Sequence, residues 1–462
     1  MRTRLLMVVG LLLCAAAGCG GANDAAVRSA LERGKLQQAV SAYDALGQPD
    51  TALLRRIAAA LLKEEALGKE AASRDAALAG LALAGSRGRK VLRELGQSAG
   101  ETGERAVVGA KALGGLAALG DQEAASRLRE LVDSEQPEIR AAAVSVLRPE
   151  SDLKRLLAAL ESPYLAVRLA AAHAFGSGPG NDPGRIPPPF SSRPPLAPEA
   201  RIALERAARH DPGPAVRSAA LWSLASAGSQ AAQSIEDALA NEERTVRLAA
   251  IGALGRADSA RARLVLGRLL ESDLGEDGIT AARHLLAQGS GGETDDRSAD
   301  AKKTAGKARD YLHRALSATD PALRALAAVA LDALDESLID IGRVLERIEQ
   351  ERVPRVRLSL VSALRQSAAG HRKRLNAALR EIGASGGVTG AYAIADLARQ
   401  GERKAIQKLL SLLGDDAVAV KRVAVRAVAR DLDRPHEVRQ ALADPDPLVR
   451  IAAAGAILAS NA

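Results

Sequence analysis

The 462 residues are enough for several domains, but only 2% are aromatic and Trp222 is the sole tryptophan, which is not the composition of an ordinary large globular enzyme. With 47% hydrophobic and 26% charged residues, and Ala and Leu in helical spacing, the chain reads as all-helical, its helices approaching closely through alanine. The net charge of +8 is dilute: it suits anionic lipid or acidic partners and lacks the dense basic stripe that nucleic acid requires.

The first residues, "MRTRLLMVVGLLLCAAAGCGGAND", set Arg2 and Arg4 before an apolar run from Leu5 that ends in small residues and Cys19. The run is shorter than the ~20 residues of a membrane span, so residues 1–18 read as a secretion signal. Ala16, Ala17, Gly18 and Cys19 resemble the bacterial lipobox, whose cysteine becomes the lipidated first residue of the mature protein; Ala16 stands where that motif usually has leucine. The resemblance implies an exported protein anchored through Cys19 to a bacterial membrane and facing the periplasm. Gly20 in place of an aspartate favours the outer membrane over the inner. The alternative is ordinary cleavage near residues 15–17, which leaves a soluble secreted or periplasmic protein. Loss of residues 1–18 removes Arg2, Arg4 and Cys14 and leaves a charge of +6. With Cys19 capped, no thiol remains for a disulfide or a cysteine-ligated metal.

Residues 19–70 form an N-terminal helical cap in this reading. Within it, "LERGKLQQAVSAYDALGQPD" spaces Gly34, Ala39, Tyr43 and Pro49 in a way that is similar to half of a tetratricopeptide repeat.

From residue 71 to 462 one phrase returns. "PEIRAAAVSVL" at 137, "YLAVRLAAAHAF" at 164, "PAVRSAALWSL" at 214, "RTVRLAAIGAL" at 244, "PALRALAAVAL" at 321, "PRVRLSLVSAL" at 354 and "PLVRIAAAGAIL" at 447 align on Arg140, Arg168, Arg217, Arg247, Arg324, Arg357 and Arg450. Weaker copies place Val108, Thr280, Thr389 and Lys421 at the same position, and most anchors lie 28 to 33 residues apart. A second helical pattern fills each interval, as in "DLKRLLAALES" at 152 and "ERKAIQKLLSLLGD" at 402. A period near 30 marks a two-helix unit that cannot bury its apolar face alone and stacks on its neighbours. The expectation is an all-α solenoid of about eleven such units.

These phrases resemble HEAT repeats, in particular the short kind named from the phycobilisome lyases, with an Asp-Pro turn, Val-Arg and an alanine-rich helix. "DPGPAVRSAALWSLA" and "DPDPLVRIAAAGAILA" carry the resemblance most fully, and "SRDAALAGLALAGS" from residue 73 is a faint first copy. The resemblance implies a concave face lined by the arginine-bearing helices and open to a protein partner. It does not by itself select a function.

An arginine in the first helical turn opposes the macrodipole and calls for compensation. An acid lies four to seven residues before each one: Glu135, Glu161, Asp211, Glu243, Asp320, Glu351 and Asp446. The arginines therefore read as a structural ladder on turn carboxylates or carbonyls. The other reading is a row lining a groove for an anionic ligand.

Two anchor spacings are longer, 49 and 44 residues. The first contains the proline-rich insertion at 176–198, where Phe190 and Arg193 sit on a stiff frame that either recognises a partner or is a tolerated surface loop. The second contains the glycine-rich, charged insertion at 288–305, expected to be a flexible loop. Arg372, Lys373 and Arg374 read as a solvated helix start, with contact to acidic lipid as the other possibility.

No catalytic site is legible. His173, His210, His284, His313, His371 and His436 have no metal-ligand spacing. Deoxyhypusine hydroxylase, a HEAT-repeat enzyme, carries paired His-Glu motifs for two irons, whereas His436 and Glu437 are the one such pair here, and His436 reads as a loop residue. There is no phosphate loop and no nucleophile elbow. The reading is a membrane-anchored, non-catalytic scaffold for a protein partner in the cell envelope, with no cofactor, no metal and no nucleic acid. The alternative is a lyase or assembly factor that handles a ligand or chromophore in the concave groove.

Overall fold

The computed structural model describes residues 24–461 apart from 47, 177–195, 258, 289–298, 335–337 and 366–369, and the described residues contain no strand. Helix α1 spans residues 24–32. It is followed by α2 (Leu36–Asp44), α3 (Thr51–Ala66), α4 (Ala71–Leu83), α5 (Arg89–Gly96), α6 (Glu104–Ala118), α7 (Gln122–Glu130) and α8 (Pro137–Val144). Next come α9 (Pro149–Leu160), α10 (Leu165–Gly176), α11 (Pro198–His210), α12 (Pro214–Leu224), α13 (Ala232–Asp237), α14 (Arg244–Ala257), α15 (Ala260–Leu269) and α16 (Glu276–Gln288). The remainder are α17 (Ala299–Leu316), α18 (Pro321–Asp332), α19 (Ile341–Gln350), α20 (Pro354–Ala363), α21 (Arg372–Ala384), α22 (Gly387–Arg399), α23 (Arg403–Ser411), α24 (Val418–Arg426) and α25 (Pro447–Ala459). A 3-10 helix, Pro435–Ala443, precedes α25.

The chain is an all-α solenoid that divides into two compact units, one built from both chain ends (up to Ala125 and from Gly386) and a middle unit, Ser126–Ser385. In the middle unit the anchor-bearing helices α8, α10, α12, α14, α16, α18 and α20 pack in direct succession, and α9, α11, α13, α15, α17 and α19 flank them as a second layer. Close approach in the first layer is possible because the touching side chains are small: Ala171, Ala172, Ala219, Ala220, Ala250 and Ala282 are all buried. The second layer is amphipathic. In α19, Val344, Leu345 and Ile348 face inward while Arg343, Glu346 and Glu349 face solvent. Proline at the first position of α8, α9, α11, α12, α18, α20 and α25 supplies a fixed φ where no intrahelical N–H is needed.

In the unit made of the two ends, α3 packs along α4 and α5 along α6, while α22, α24 and α25 follow one another. Helices α6 and α22 end at Gly120 (φ 87°) and Gly401 (φ 83°), the left-handed geometry that closes a helix with N–H donation back to the carbonyls of Leu116 and Leu397. Helix α25 lies against α24 and also against α3 and α4. Gly455 and Gly80 face each other there, a Cβ on Gly455 standing 3.6 Å from the Gly80 Cα. Leu54, Ile57, Leu62 and Leu81 from the chain start share this core with Ile451, Ile457 and Leu458 from its end. Arg55 donates to the Ser460 carbonyl at 2.9 Å and Arg87 to the Leu458 carbonyl at 3.0 Å, so cations from the chain start satisfy the open carbonyls at the end of α25. Arg439 pairs with Asp44 at 2.6 Å.

Two expectations are corrected. His436 is not a loop residue: it lies in the 3-10 helix, its Nδ1 2.7 Å from the Tyr43 hydroxyl and its Nε2 2.9 Å from that of Thr51. A histidine beside Pro435 looks like a turn residue in sequence, and only the fold brings Tyr43 and Thr51 to it. The insertion at 288–305 is not a loop throughout, because α17 begins at Ala299 and Thr304 already bonds back to the Asp300 carbonyl. From Ala299 the segment is rich in Ala and Lys, which favour helix.

Two glycines of α6 give opposite expectations. A Cβ on Gly109 would stand 2.8 Å from the Ala99 Cα, a backbone contact that cannot yield, while Gly114 has no neighbour within 4 Å. Gly109→Ala is expected to destabilise by about 1–3 kcal/mol and Gly114→Ala to stabilise by about 0.5–1 kcal/mol. Urea denaturation of the two variants beside the parent checks both signs.

Candidate functional site

The anchor arginines occupy equivalent places, so their surroundings can be read as one site repeated. Each lies in the first turn of its helix and reaches back six residues to the end of the preceding helix. Arg140 donates to the Ser134 carbonyl at 2.8 Å, Arg168 to Ser162 at 2.9 Å and Arg217 to Asp211 at 2.8 Å. Arg247 donates to Asn241 at 3.0 Å, Arg324 to Ala318 at 2.9 Å and Arg450 to Asp444 at 3.0 Å. Five of them take the next carbonyl as well, at Pro163, Pro212, Glu242, Thr319 and Pro445. Arg357 differs, donating to the Ile348 carbonyl at 2.8 Å. The charge therefore sits where carbonyl groups crowd past a helix C-terminus, which is where the macrodipole favours a cation.

The residue six before an anchor has a second task. The side chains of Ser134, Ser162, Asp211, Asn241, Glu351, Asp415 and Asp444 each accept the backbone N–H two residues on, at 2.8–3.3 Å, and so shape the turn. When that residue is acidic and the preceding unit carries a base at its anchor, its carboxylate also receives that base. Asp211 takes Arg168 at 2.7 Å, Glu351 takes Arg324 at 2.8 and 3.1 Å, and Asp444 takes Lys421 at 2.7 Å. The carboxylate partner thus comes from the next repeat, not from the acid just before the same arginine. Asp320 and Asp446 are occupied in capping their own helices, and Glu161 meets Arg206.

The remaining anchors show how the rule bends. Arg247 finds Asp277 at 3.0 Å and Arg357 finds Glu381 at 2.6 Å, both from the next repeat. Arg140 faces Ser162 instead of an acid and stands 5.7 Å from the centroid of the Tyr164 ring. Arg217 faces Asn241, and its Nε is buried without a partner. Arg450 is received by Glu65 of α3 at 2.9 Å.

The ladder brings none of its arginines to an open groove. Arg168 and Asp211 are 12% and 5% exposed in their side chains, Arg324 and Glu351 12% and 0%. The histidines stay apart, and among the described residues no group of His, Cys, Asp or Glu is placed to hold a metal ion. A cleft of about 720 Å³ is lined by Asp310, His313 and Arg314 of α17 and by Arg343, Glu346 and Arg347 of α19. Its cations are largely engaged: Arg347 bonds Glu351, Arg343 bonds Asp340, and Arg314 lies over Tyr311. His313 is held below the usual imidazole range by burial and by Arg343. Arg372, Lys373 and Arg374 open α21, and Arg374 pairs with Glu349 at 2.6 Å. Cys19, Phe190 and Arg193 lie outside the described residues. Among those residues no helix is long and apolar enough to cross a membrane.

Glu351 is the most constrained rung. Burial raises its pKa, but bonds from Arg324, Arg347 and the Val353 N–H outweigh that and bring it to about 2 from an ordinary 4.5. A carboxyl lowered on folding stabilises the fold above its unfolded pKa, and the contribution is lost as pH falls through the folded value. Glu351→Gln is expected to cost on the order of 3 kcal/mol at pH 7. The gap to the parent should narrow as pH drops from about 5 towards 2, read by urea denaturation at each pH.

Among curated protein sequences none matches this chain. Solved structures resemble it at low identity. The karyopherin Kap121p bound to the SUMO protease Ulp1p aligns at a TM-score of 0.38 with 16% identity, over 89% of this chain and 49% of that one. A homology model of the full-length AP-3 complex aligns at 0.35 with 13% identity, over 88% of this chain and 79% of that one. The chain spans about half the length of the karyopherin chains it matches. Residues 198–287 match the family model of the HEAT repeats. The match covers part of the middle unit, and the repeated pairs described above make the chain an all-α solenoid.

Proposed function

We propose that this all-α solenoid is a membrane-anchored, non-catalytic protein–protein interaction scaffold of a bacterial cell envelope. The observation that carries the reading is the ladder itself. Anchor charges are spent on holding one helix pair to the next, which fixes a long row of helices and leaves the face between rungs to define what is bound. Stacked repeats of this kind serve widely as extended binding surfaces, flexing elastically from unit to unit. The leader ending at Cys19 supports export and a lipid tether, and a tether would hold scaffold and partner in one plane at raised effective concentration. Apolar side chains left in solvent, Ile202 and Leu264 on the flanking layer, Tyr164 in the turn before α10 and Leu165 at its start, are further places for a partner to touch.

The test is crosslinking in cells followed by capture, with the parent protein beside Cys19→Ser. The expected result is one defined envelope protein recovered with the anchored form and lost with Cys19→Ser. Recovery of no protein with either form, together with a small molecule or metal retained by the purified chain, would overturn the scaffold in favour of ligand handling.

A further inference from the structure

Arg256 of α14 and Arg283 of α16 are two of the middle unit's arginines that lie off the ladder; α14 packs between α12 and α16. Trp222 of α12 lies on Gly252 of α14, where a Cβ would stand 2.6 Å from the indole Cζ2. His284 of α16 lies on Gly255, about one turn further along α14, where a Cβ would collide with the imidazole. The two glycines let an indole and an imidazole press onto the α14 backbone, and Arg256, next in sequence, stands with its guanidinium 5.2 Å from the centroid of the Trp222 ring.

His284 is 4% exposed. Burial first, and then the positive charges of Arg283 and Arg256, push its pKa down to about 3. Both guanidiniums therefore act on one neutral imidazole. Arg283 is partly buried, makes no hydrogen bond or ion pair among the described residues, and its Nε is enclosed without an acceptor. Burial lowers its pKa, and no acidic side chain offsets that. The contrast with the ladder is chemical: Arg168 and Arg324 each have a carboxylate and two carbonyls, Arg283 has none. A partly desolvated cation without a counter-charge is costly, and that cost is relieved when an anion arrives.

We propose that Arg283, next to His284 on α16, binds a carboxylate presented by an acidic segment of the protein partner. A guanidinium fork matches a carboxylate in two parallel bonds, and partial desolvation strengthens them. Arginine is also among the residues that most often dominate interface energetics. The site rests on the scaffold reading and gives it a recognition chemistry.

Trp222 is the only tryptophan and packs on α14 about one turn from the glycine that His284 covers, so its emission is the label-free readout. Purified full-length protein is titrated at low salt with a short glutamate peptide. A saturable change in emission is expected, absent with a glutamine peptide of the same length. Arg283→Gln should weaken the apparent affinity roughly tenfold or more, and Arg283→Lys, which keeps the charge and loses the fork, should weaken it less. Lys404→Gln, an exposed cation on α23, should leave it unchanged. No saturable change in the parent, equal binding by Arg283→Gln, or saturation by inorganic phosphate below the concentration at which the peptide saturates would overturn the proposal. Thermal unfolding shows whether Arg283→Gln is folded, and removal of an unpaired cation should not lower its midpoint. In the cellular capture experiment Arg283→Gln should lose the partner. Undiminished capture would overturn the site and leave the scaffold standing, whereas failure of capture by the parent removes the scaffold and leaves the peptide titration to decide the site.

Discussion

The fold depends on a guanidinium that joins three things at once: the carbonyls past the end of one helix, the first turn of the next, and a carboxylate from the following repeat. Arg168 shows the full arrangement, with the Ser162 and Pro163 carbonyls on one side and Asp211 on the other. The cation is attached near a positive helix end but its charge rests at a negative one, so the apparent conflict with the macrodipole disappears. Asp211 in turn shapes its own turn through the Gly213 N–H and offers its carbonyl to Arg217. Each rung thus prepares the next, and the register of the stack is set by polar bonds while its stability comes from buried Ala, Leu, Val and Ile.

The ladder continues from α25 onto α3. Glu65 of α3 gives Arg450 its acid, and Arg55 and Arg87 take the carbonyls at the end of α25. Helix α25 is buried nearly all round, from Val449 through Leu458, because α24 covers one side and α3 with α4 the other. The paired hydroxyls of Tyr43 and Thr51 on His436 belong to the same junction and mark it as specific.

A regular ladder also makes its exceptions visible. Where the acid is missing, Arg140 uses an aromatic ring and Arg217 keeps only carbonyls. Arg283, on α16, has neither among the described residues. A partly buried cation without an acid is chemistry left available after the architecture has been satisfied.

The sequence by itself determined the helix pairs, their period and the seven anchor arginines, because a stacked two-helix unit must repeat its buried alanines and its turn residues at fixed spacing. It also held signals that were legible but easily missed: an acid six residues before Arg217, Arg357 and Arg450, and an unbroken apolar surface on the last helix, "PLVRIAAAGAILAS". Which acid serves which arginine was decided only by tertiary structure, since the partners lie 23 to 43 residues apart along most of the ladder and 385 apart for Arg450 and Glu65. Local pattern reports what a residue can bond, and packing brings the partner. The same holds for His436, Trp222 and Arg283, whose roles depend on neighbours contributed by other helices.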